Sequence, residues 1–224
     1  MRVCVILALA ALTACDNGNG PPPPQASTFR ALHAIRSGPT LNVVVDGRSL
    51  ATSLMFGQLT RALALSPGQH VLDPQPPDTT PRVLLGFTTL SGVNYTAFVV
   101  DSTAGARHII DPVLVPDTGA LPARGHSRLR IASFAAAAPA IDAYRTQPDS
   151  TGLVPMLRPV TFRAVTRYFD GAPGAWSVVI SHAGMADTLL ATGSIALADG
   201  QARTVVVIDS TAGHVTWRLV PDRN

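Results

Sequence analysis

The feature that most constrains the fold is an internal repeat, because a duplicated sequence is expected to fold into the same unit twice. The pentapeptide DSTAG begins at Asp101 and returns unchanged at Asp209. Further upstream, FGQLTRALALSPGQH from Phe56 aligns with FRAVTRYFDGAPGAW from Phe162, with Phe, Thr, Arg, Pro and Gly in common. The matches keep the same order along the chain, so they indicate a duplication rather than the chance recurrence of one short word.

The duplication sets the predicted domain boundaries. The stretch FRALHAIRSGPTLNVVV from Phe29 aligns with LRIASFAAAAPAIDAYR from Leu129, so the match extends to the start of each copy. We therefore predict two copies of one domain, over residues 28–117 and 128–222. The segment between them, 118–127, contains Gly and Pro in the proportion that is typical of a linker.

Both copies are predicted to be all-β. Short runs such as LNVVVDG, TAFVVDS and RTVVVIDS are rich in β-branched residues and end in Asp, Gly or Ser, as strands followed by turns do. Many such strands at short spacing favour a β-sandwich. The alanines that follow Phe134 have the composition of a helix, but Pro139 and the alignment of the repeat indicate a loop there.

The N-terminus has the pattern of a bacterial export signal. Arg2 supplies a positive charge, and residues 3–12 form an apolar run that is too short to span a bilayer as a mature helix. The LTAC that follows resembles the lipobox of bacterial lipoproteins. That resemblance implies a lipoprotein signal peptide over residues 1–14, cleavage after Ala14, and attachment of a diacylglycerol to the sulfur of Cys15.

Lipidation at Cys15 predicts membrane anchoring, because two or three acyl chains hold a protein to a membrane where one does not. The chain's other cysteine, Cys4, lies in the leader, so no internal disulfide is expected in the mature protein. Residues 15–27 include a run of prolines and are predicted to be an extended, flexible tether. The expected location is the bacterial cell envelope, at either the inner or the outer membrane. An ordinary secretory signal with an accidental cysteine is the alternative.

The charge of the chain gives no indication of a nucleic-acid partner. Its 17 basic residues, all arginine, and 14 acidic residues leave a formal net charge of +3. No run of like charge is present to make the concentrated positive field that nucleic-acid binding requires. We therefore expect no nucleic-acid partner.

No stretch of the sequence carries a complete catalytic or metal-binding motif. Asp117-Thr118-Gly119 is typical of a catalytic aspartate, but aspartic proteases use two such aspartates. The second copy has PDRN around Asp222 instead, so a homodimer would have to supply the pair. We predict no catalytic, cofactor-binding or metal-binding residues and no cofactor. The histidines are scattered singly rather than paired as metal ligands; they are His33, His70, His108, His126, His182 and His214.

Several matched positions carry structural predictions. Phe56 and Phe162 are predicted core anchors, because each is an aromatic residue at the same place in its copy. Asn42 and Asp142, which are flanked by apolar residues, are expected to face solvent or to bind the backbone amides of a nearby loop. The repeated DSTAG is predicted to be a hairpin turn before the last strand of each copy.

The first copy contains LHAIRSGPTLNVVVDG, LMFGQLT and LSPGQHVL in that order. These stretches resemble the bacterial DUF4397 family, whose pattern runs roughly His-Ala-Ser-Pro-Asp-Ala-Pro, Val-Asp-Val-Tyr-Val-Asp-Gly, Phe-Gly and Pro-Ala-Gly. The chain departs from that pattern after Ala34 and at Asn42, and the second copy resembles it more weakly. The resemblance implies immunoglobulin-like β-sandwich domains, often in tandem and often on lipoproteins, with no catalytic residues.

The leading hypothesis is a non-catalytic, membrane-anchored module of the cell envelope that binds, adheres or acts as a spacer. Its expected partners are the lipid membrane, through acylated Cys15, and an envelope protein or glycan. The alternative is an envelope hydrolase whose site is assembled from residues far apart in the sequence. The loop 146–155 and three arginines are candidate contact residues, although an ordinary solvated surface is the favoured interpretation of them. The arginines are Arg158, Arg163 and Arg167.

Overall fold

The computed structural model describes residues 24–102, 109–210 and 213–223. Every regular element in these ranges is a β-strand, which confirms the predicted all-β class. None of the described residues forms a helix that is long and apolar enough to cross a membrane. The alanines from Ala135 belong to a turn between two strands, as Pro139 predicts.

The strands of the second half follow one another as those of the first half do. In the first half they are Ser27–His33 (β1), Leu41–Val45 (β2), Arg48–Leu54 (β3), Leu63–Leu65 (β4), Gly68–Gln75 (β5), Leu85–Thr89 (β6), Asn94–Ser102 (β7) and Ile109–Asp117 (β8). In the second half they are Ser127–Phe134 (β9), Ala140–Thr146 (β10), Val154–Thr161 (β11), Phe169–Gly171 (β12), Gly174–His182 (β13), Leu190–Ala191 (β14), Ile195–Leu197 (β15), Ala202–Asp209 (β16) and Val215–Arg223 (β17).

Each half of the described chain builds two sheets with corresponding strand pairs. The first half has the strand orders β4-β1-β7-β8 and β3-β2-β5-β6. The second half has β12-β9-β16-β17 and β11-β10-β13-β14, with β15 also paired to β13. β1 runs parallel to β7, from Thr28 beside Asn94 to His33 beside Val99, and β9 runs parallel to β16. The other pairs of named strands are antiparallel.

Apolar layers between the described sheets hold them in a stack. One layer lies between the two sheets of the first half and includes Phe29. Another lies between the two sheets of the second half and includes Trp176. A further layer joins the halves, where the rings of Phe98 and Phe134 stack with centroids 4.6 Å apart. β7 and β16 are thus covered on both faces, and most of their residues are buried in an unbroken run.

The aromatic residues Phe56 and Phe162 are not the core anchors that the sequence predicted. Both are half-buried, because each lies in the turn after β3 or β11, where the chain leaves its sheet. Phe56 packs beside the layer between the halves. Fully buried aromatic positions are filled instead by strand residues such as Phe29 and Trp176.

The hydrogen bonds of Thr60 and Thr166 explain why threonine occurs at the same place in both copies. The hydroxyl of Thr60 accepts a hydrogen bond from the Ala31 amide at 3.0 Å. The hydroxyl of Thr166 accepts one from the Ile131 amide, also at 3.0 Å. Each hydroxyl donates in turn to the carbonyl of the arginine that follows it. Each threonine therefore ties a turn to the first strand of its half.

Asn42 and Asp142 bind backbone amides, which is one of the two arrangements that the sequence predicted. Asn42 Oδ1 accepts a hydrogen bond from the Ser53 amide at 3.0 Å. Asp142 Oδ2 accepts one from the Gly184 amide at 3.1 Å. In both halves this polar side chain on the second strand secures a neighbouring segment.

The DSTAG stretches lie between antiparallel neighbours in both halves. β7 and β8 pair from Ser102 beside Ile109, and β16 and β17 pair from Asp209 beside Val215. A chain that joins antiparallel neighbours directly makes a hairpin. Residues 103–108 and 211–212 of these connections lie outside the described ranges.

Candidate functional site

A depression of about 330 Å³ opens at one end of the first half, where β1 and β7 finish. It is walled by the β1–β2 loop, the β5–β6 loop and the adjoining ends of β7 and β8. Its position among loops at the end of a sandwich is typical of a binding site. Its lining includes Ile35, Ser37, Pro39, Asp78, Thr80 and Asp101.

His33 holds the β1–β2 loop in place through hydrogen bonds that involve both nitrogens of its ring. Its ring is fully buried, with Nε2 2.9 Å from the Pro39 carbonyl oxygen and Nδ1 3.2 Å from the Ile35 amide nitrogen. Because the carbonyl can only accept and the amide can only donate, the imidazole carries its proton on Nε2 and is neutral. Burial accordingly lowers the pKa of His33. The close packing of the loop around position 38 favours glycine, because a Cβ there would lie only 2.7 Å from Ile35 Cγ2 and would clash with it.

Arg82 and its neighbours hold the β5–β6 loop against the same end of the sheet. The Arg82 Nε atom lies 2.5 Å from Asp73 Oδ1. The Val83 amide donates to the Ile110 carbonyl at 2.8 Å, and the Ile110 amide donates to the Pro81 carbonyl at 2.9 Å. The loop is therefore tied to the first residues of β8, beside the depression.

The depression combines a carboxylate with apolar walls. Asp78 Oδ1 accepts a hydrogen bond from the Thr80 amide at 2.9 Å. Hydrogen bonds from Thr80 lower the pKa of Asp78, so this carboxyl is charged at neutral pH. An adjoining hollow shares Asp78 and Thr80 and is bordered by Leu84, which is 57% exposed. Such a surface suits a ligand with a cationic or hydroxyl-rich group beside an apolar one.

None of these lining residues was predicted to bind a ligand, and Asp101 was matched only as the first residue of the repeated DSTAG. The stretch DPQPPDTTPRV, which contains Asp78 and Thr80, does indicate a loop, because Pro, Asp and Thr accumulate there between two strands. Such composition marks a loop but does not show which other loops it meets. The depression arises because the sheet brings the β1–β2 loop to the same end as the β5–β6 loop.

His70 and Asp46 form an ion pair that lines a shallow hollow at β5 and β6. His70 Nδ1 lies 2.6 Å from Asp46 Oδ2, and its Nε2 lies 2.9 Å from the Ser66 carbonyl oxygen. Both partners accept, so both ring nitrogens donate and the imidazole is cationic. Burial alone lowers the pKa of His70, but the hydrogen bonds to Asp46 and Ser66 together raise it. Because Ser66 contributes its carbonyl rather than its hydroxyl, this trio is not a serine-nucleophile triad.

Asp117, from the Asp-Thr-Gly tripeptide, lies in a polar cluster between the halves rather than in the depression. The Tyr168 hydroxyl lies 3.2 Å from Asp117 Oδ1. Asp222 stands at the matching place in β17, with a side chain only 2% exposed. The guanidinium groups of Arg30 and Arg130 lie 3.7 and 3.5 Å from Asp222 Oδ1. These contacts give both aspartates a structural role in joining the halves.

The arginines of this cluster occupy matching positions in the two halves. Arg30 Nε donates to the Thr96 hydroxyl at 3.0 Å on β7. Arg130 Nε donates to the Thr204 hydroxyl at 2.8 Å on β16. The Thr204 hydroxyl donates in turn to Asp222 at 2.5 Å. Burial lowers the pKa of Arg30, as expected for a cation taken out of water.

The three arginines Arg158, Arg163 and Arg167 have separate partners instead of forming one contact set. Arg158 donates to the Tyr144 hydroxyl at 3.2 Å. Arg163 lies in an ion pair with Asp111 on β8, with its Nη1 2.5 Å from Asp111 Oδ2. Arg167 lies over an aromatic ring of β12, at 5.3 Å from the ring centre. Arg163 therefore helps to join the halves.

Cys15 and Ala14, the predicted lipid site and cleavage point, lie outside the described residues, as does His108. Among the histidines that are described, His182 has Nδ1 2.5 Å from Asp187 Oδ2. No group of three or more His, Cys, Asp or Glu side chains in residues 24–102, 109–210 and 213–222 could hold a metal ion.

Comparison with known proteins gives one family match. Residues 27–144 match the sequence profile of a domain of unknown function, DUF4397. The match covers more than half of the chain, from β1 into β10, and so continues through the predicted linker 118–127 into the second half. No curated protein matches the chain.

Several solved structures resemble the chain weakly. The Bacillus anthracis TIE protein is 11% identical with a TM-score of 0.29; the alignment covers 83% of this chain but only 34% of that one. A candidate cell adhesion protein from Bacteroides uniformis is 10% identical with a TM-score of 0.31, over 88% of this chain and 98% of that one. A candidate adhesin from Bacteroides ovatus is 8% identical with a TM-score of 0.26, over 90% and 96% of the two chains. At such TM-scores these likenesses carry no functional argument.

Proposed function

This chain belongs to the DUF4397 family, and from that premise we propose that it is a non-catalytic binding module of the bacterial cell envelope, anchored to a membrane through Cys15. The family has no assigned function, so the proposal rests on the geometry of the chain. The observation that carries it is the direction of β1 and β7, which run parallel from the tether end of the first half to the depression.

The two ends of β1 have different surroundings. At its start, the Gln25 amide donates to the Ser91 hydroxyl at 2.8 Å, and the Gly92 amide donates to the Gln25 carbonyl at 3.2 Å. β1 spans 7 residues, which is about 20 Å at the usual rise of a strand. At its far end the chain enters the depression at Ile35, and β7 brings Asp101 to the same place. The depression therefore lies at the opposite end of β1 from the proposed tether.

We also propose that the chain has two tandem immunoglobulin-like domains, over residues 28–117 and 128–222, that act as one rigid unit. The corresponding strand pairs in the two halves support the division. The stacked rings of Phe98 and Phe134 and the ion pair of Arg163 with Asp111 support a fixed arrangement of the halves.

The proposed anchor is tested by replacing Cys15 with Ser. The LTAC pattern and the tether over 15–27 support lipidation, and two or three acyl chains suffice to hold a protein on a bilayer. We expect labelled palmitate to enter the wild-type protein and to be absent from Cys15→Ser, which should keep its leader. Normal lipid labelling of Cys15→Ser would rule the anchor out. Separation of the inner from the outer membrane, followed by detection of the wild-type protein in each fraction, then identifies the membrane that carries it.

The proposed binding surface is tested by crosslinking in native envelopes, followed by mass spectrometry. Asp78→Ala combined with Leu84→Ser changes exposed residues at the depression and leaves the core intact. Asp149→Ala is the matched control, because it removes an exposed carboxylate from the loop 146–155. We expect the wild-type crosslinks to be lost in the first variant and kept in the control. Crosslinks that survive the first variant would contradict a role for the depression, and their loss in Asp149→Ala would assign binding to the loop.

A further inference from the structure

The last strands of the two halves are counterparts at the edges of their sheets. β8 is the outer strand beside β7, and β17 is the outer strand beside β16. Ile110 lies opposite Asp101 in one pair, and Val215 lies opposite Asp209 in the other. The residues of β8 therefore correspond one by one to those of β17, beginning at Ile110 and Val215.

The free edge of β8 is closed to a further strand. Ile110 bonds on that side to the β5–β6 loop through both its amide and its carbonyl, so every second residue from Ile110 directs its backbone groups outward. Two of these residues, Pro112 and Pro116, have no N–H to donate. Prolines and a covering segment are common ways of protecting an edge strand from unwanted pairing.

The free edge of β17 is open from Val215 to Leu219, whereas Pro221, the counterpart of Pro116, has no N–H and its carbonyl accepts a hydrogen bond from the Arg30 guanidinium. Val215, Trp217 and Leu219 direct their backbone groups outward there and keep their N–H groups. In residues 24–102, 109–210 and 213–223, no backbone group outside β16 pairs with this strand. The Trp217 carbonyl accepts a hydrogen bond from the Arg218 guanidinium at 3.0 Å, and the same guanidinium lies against Gly57 of the first half. Pairing with a partner requires the Arg218 side chain to give up its hydrogen bond to this carbonyl.

We propose that this edge of β17 binds the same edge of a second copy of the chain, in antiparallel pairing centred on Trp217. In that register Trp217 faces the partner's Trp217, and Val215 faces the partner's Leu219. All of the outward backbone groups from 215 to 219 then find partners, and the two sheets become one continuous sheet. The contact is isologous, so it closes on itself as a dimer and does not propagate.

The side chains of β17 favour a second copy over an unrelated strand. Val215, Trp217 and Leu219 lie on one face by strand alternation, and Leu219 is 37% exposed. Val215 belongs to the apolar layer of the second half and Trp217 packs against it. In the proposed pairing the partner's Val215 stands beside Leu219, so this apolar layer continues across the pair. On the opposite face Arg218 meets the partner's Thr216, so no like charges stand opposite each other. The segment is self-complementary in shape, polarity and charge.

The dimer is tested by sedimentation equilibrium over a range of concentrations, on the chain from residue 15 onward with Cys15→Ser. We expect a mass of two chains for this protein. Leu219→Pro removes an outward N–H without touching a hydrogen bond to β16, as Pro112 and Pro116 do in β8, and should give a mass of one chain. Leu114→Pro is the matched control on β8 and should leave the dimer unchanged.

Two variants of Thr216 test the dimer independently, in case Leu219→Pro fails to fold. Thr216→Glu faces the partner's Arg218 and should tighten the dimer several-fold, whereas Thr216→Arg should weaken it several-fold. A wild-type chain that stays monomeric at every concentration would overturn the proposal, even if an unrelated peptide strand binds to it. A dimer that survives Leu219→Pro, or that responds equally to both Thr216 variants, would overturn it as well.

Discussion

Trp176 occupies the place in the second half that His70 occupies in the first, and both rings donate to a carbonyl four residues earlier. His70 Nε2 lies 2.9 Å from the Ser66 oxygen, and Trp176 Nε1 lies 3.0 Å from the Ala172 oxygen. An indole nitrogen can only donate, so the match supports a proton on His70 Nε2. The carboxylate of Asp46 at Nδ1 then makes the ring of His70 a cation, which an indole cannot become.

His70 and His33 should titrate on opposite sides of the ordinary histidine pKa of about 6.5. The raised pKa of His70 means that its stabilising contribution is complete below about pH 6.5 and is lost as the pH rises through its folded pKa. The lowered pKa of His33 means that its contribution is complete above about pH 6.5 and is lost as the pH falls through its folded pKa. NMR of the ring protons against pH checks both directions, with a short unstructured peptide that contains histidine as the reference. Equal midpoints for the two rings would contradict the assigned protonation.

Asp222→Asn should lower the free energy of unfolding by about 3 kcal/mol or more, because it leaves the buried Arg130 and the half-buried Arg30 without their carboxylate. Asp170→Asn is the matched control. Asp170 also pairs with an arginine, Arg128, but its side chain is 49% exposed, so its loss should cost less than about 1 kcal/mol. Urea unfolding followed by circular dichroism measures both values. Equal losses of unfolding free energy would show that Asp222 contributes no more to stability than the exposed Asp170 does.

Thr60→Val and Thr166→Val should each lower the free energy of unfolding by about 1–3 kcal/mol, since each leaves a buried amide of β1 or β9 without its side-chain acceptor. The two threonines lie in separate halves and share no partner. The loss in the double variant should therefore equal the sum of the single losses. Thermal and urea unfolding of the three variants tests this, and Thr→Ser at either position should retain most of the stability.

The double variant Phe98→Ala, Phe134→Ala should separate the unfolding of the two halves. These stacked rings belong to the apolar layer between the halves, and each truncation costs about 3–5 kcal/mol. We expect one calorimetric transition for the wild-type protein and two for the double variant. Phe87→Ala, in the layer inside the first half, is the control that should destabilise without separating the transitions. A wild-type protein that already shows two transitions would mean that the halves are not coupled.

The all-β class and several strands could be predicted from the sequence, because β-branched runs that end in turn residues occur in both copies of the repeat. The packing of one half on the other was not predicted, although the apolar runs TAFVV and TVVVI in β7 and β16 are typical of strands covered on both faces. Phe56 and Phe162 were assigned to the core because both are aromatic and occupy matching positions in the two copies, whereas their place after a strand end decides their exposure. The depression was not predicted because the sheet topology brings its lining together from distant loops.

The parallel pairing of β1 with β7 has a mechanical consequence. β1 is the strand nearest the N-terminal tether, and it lies between β4 and β7 with its axis directed from Gln25 toward the depression. Tension between the tether and a ligand held in the depression acts along that axis. Such tension strains all of the hydrogen bonds on both sides of β1 at the same time, in shear. It does not break them one after another from one end of the strand. The strand closest to the proposed anchor is thus oriented to resist pulling.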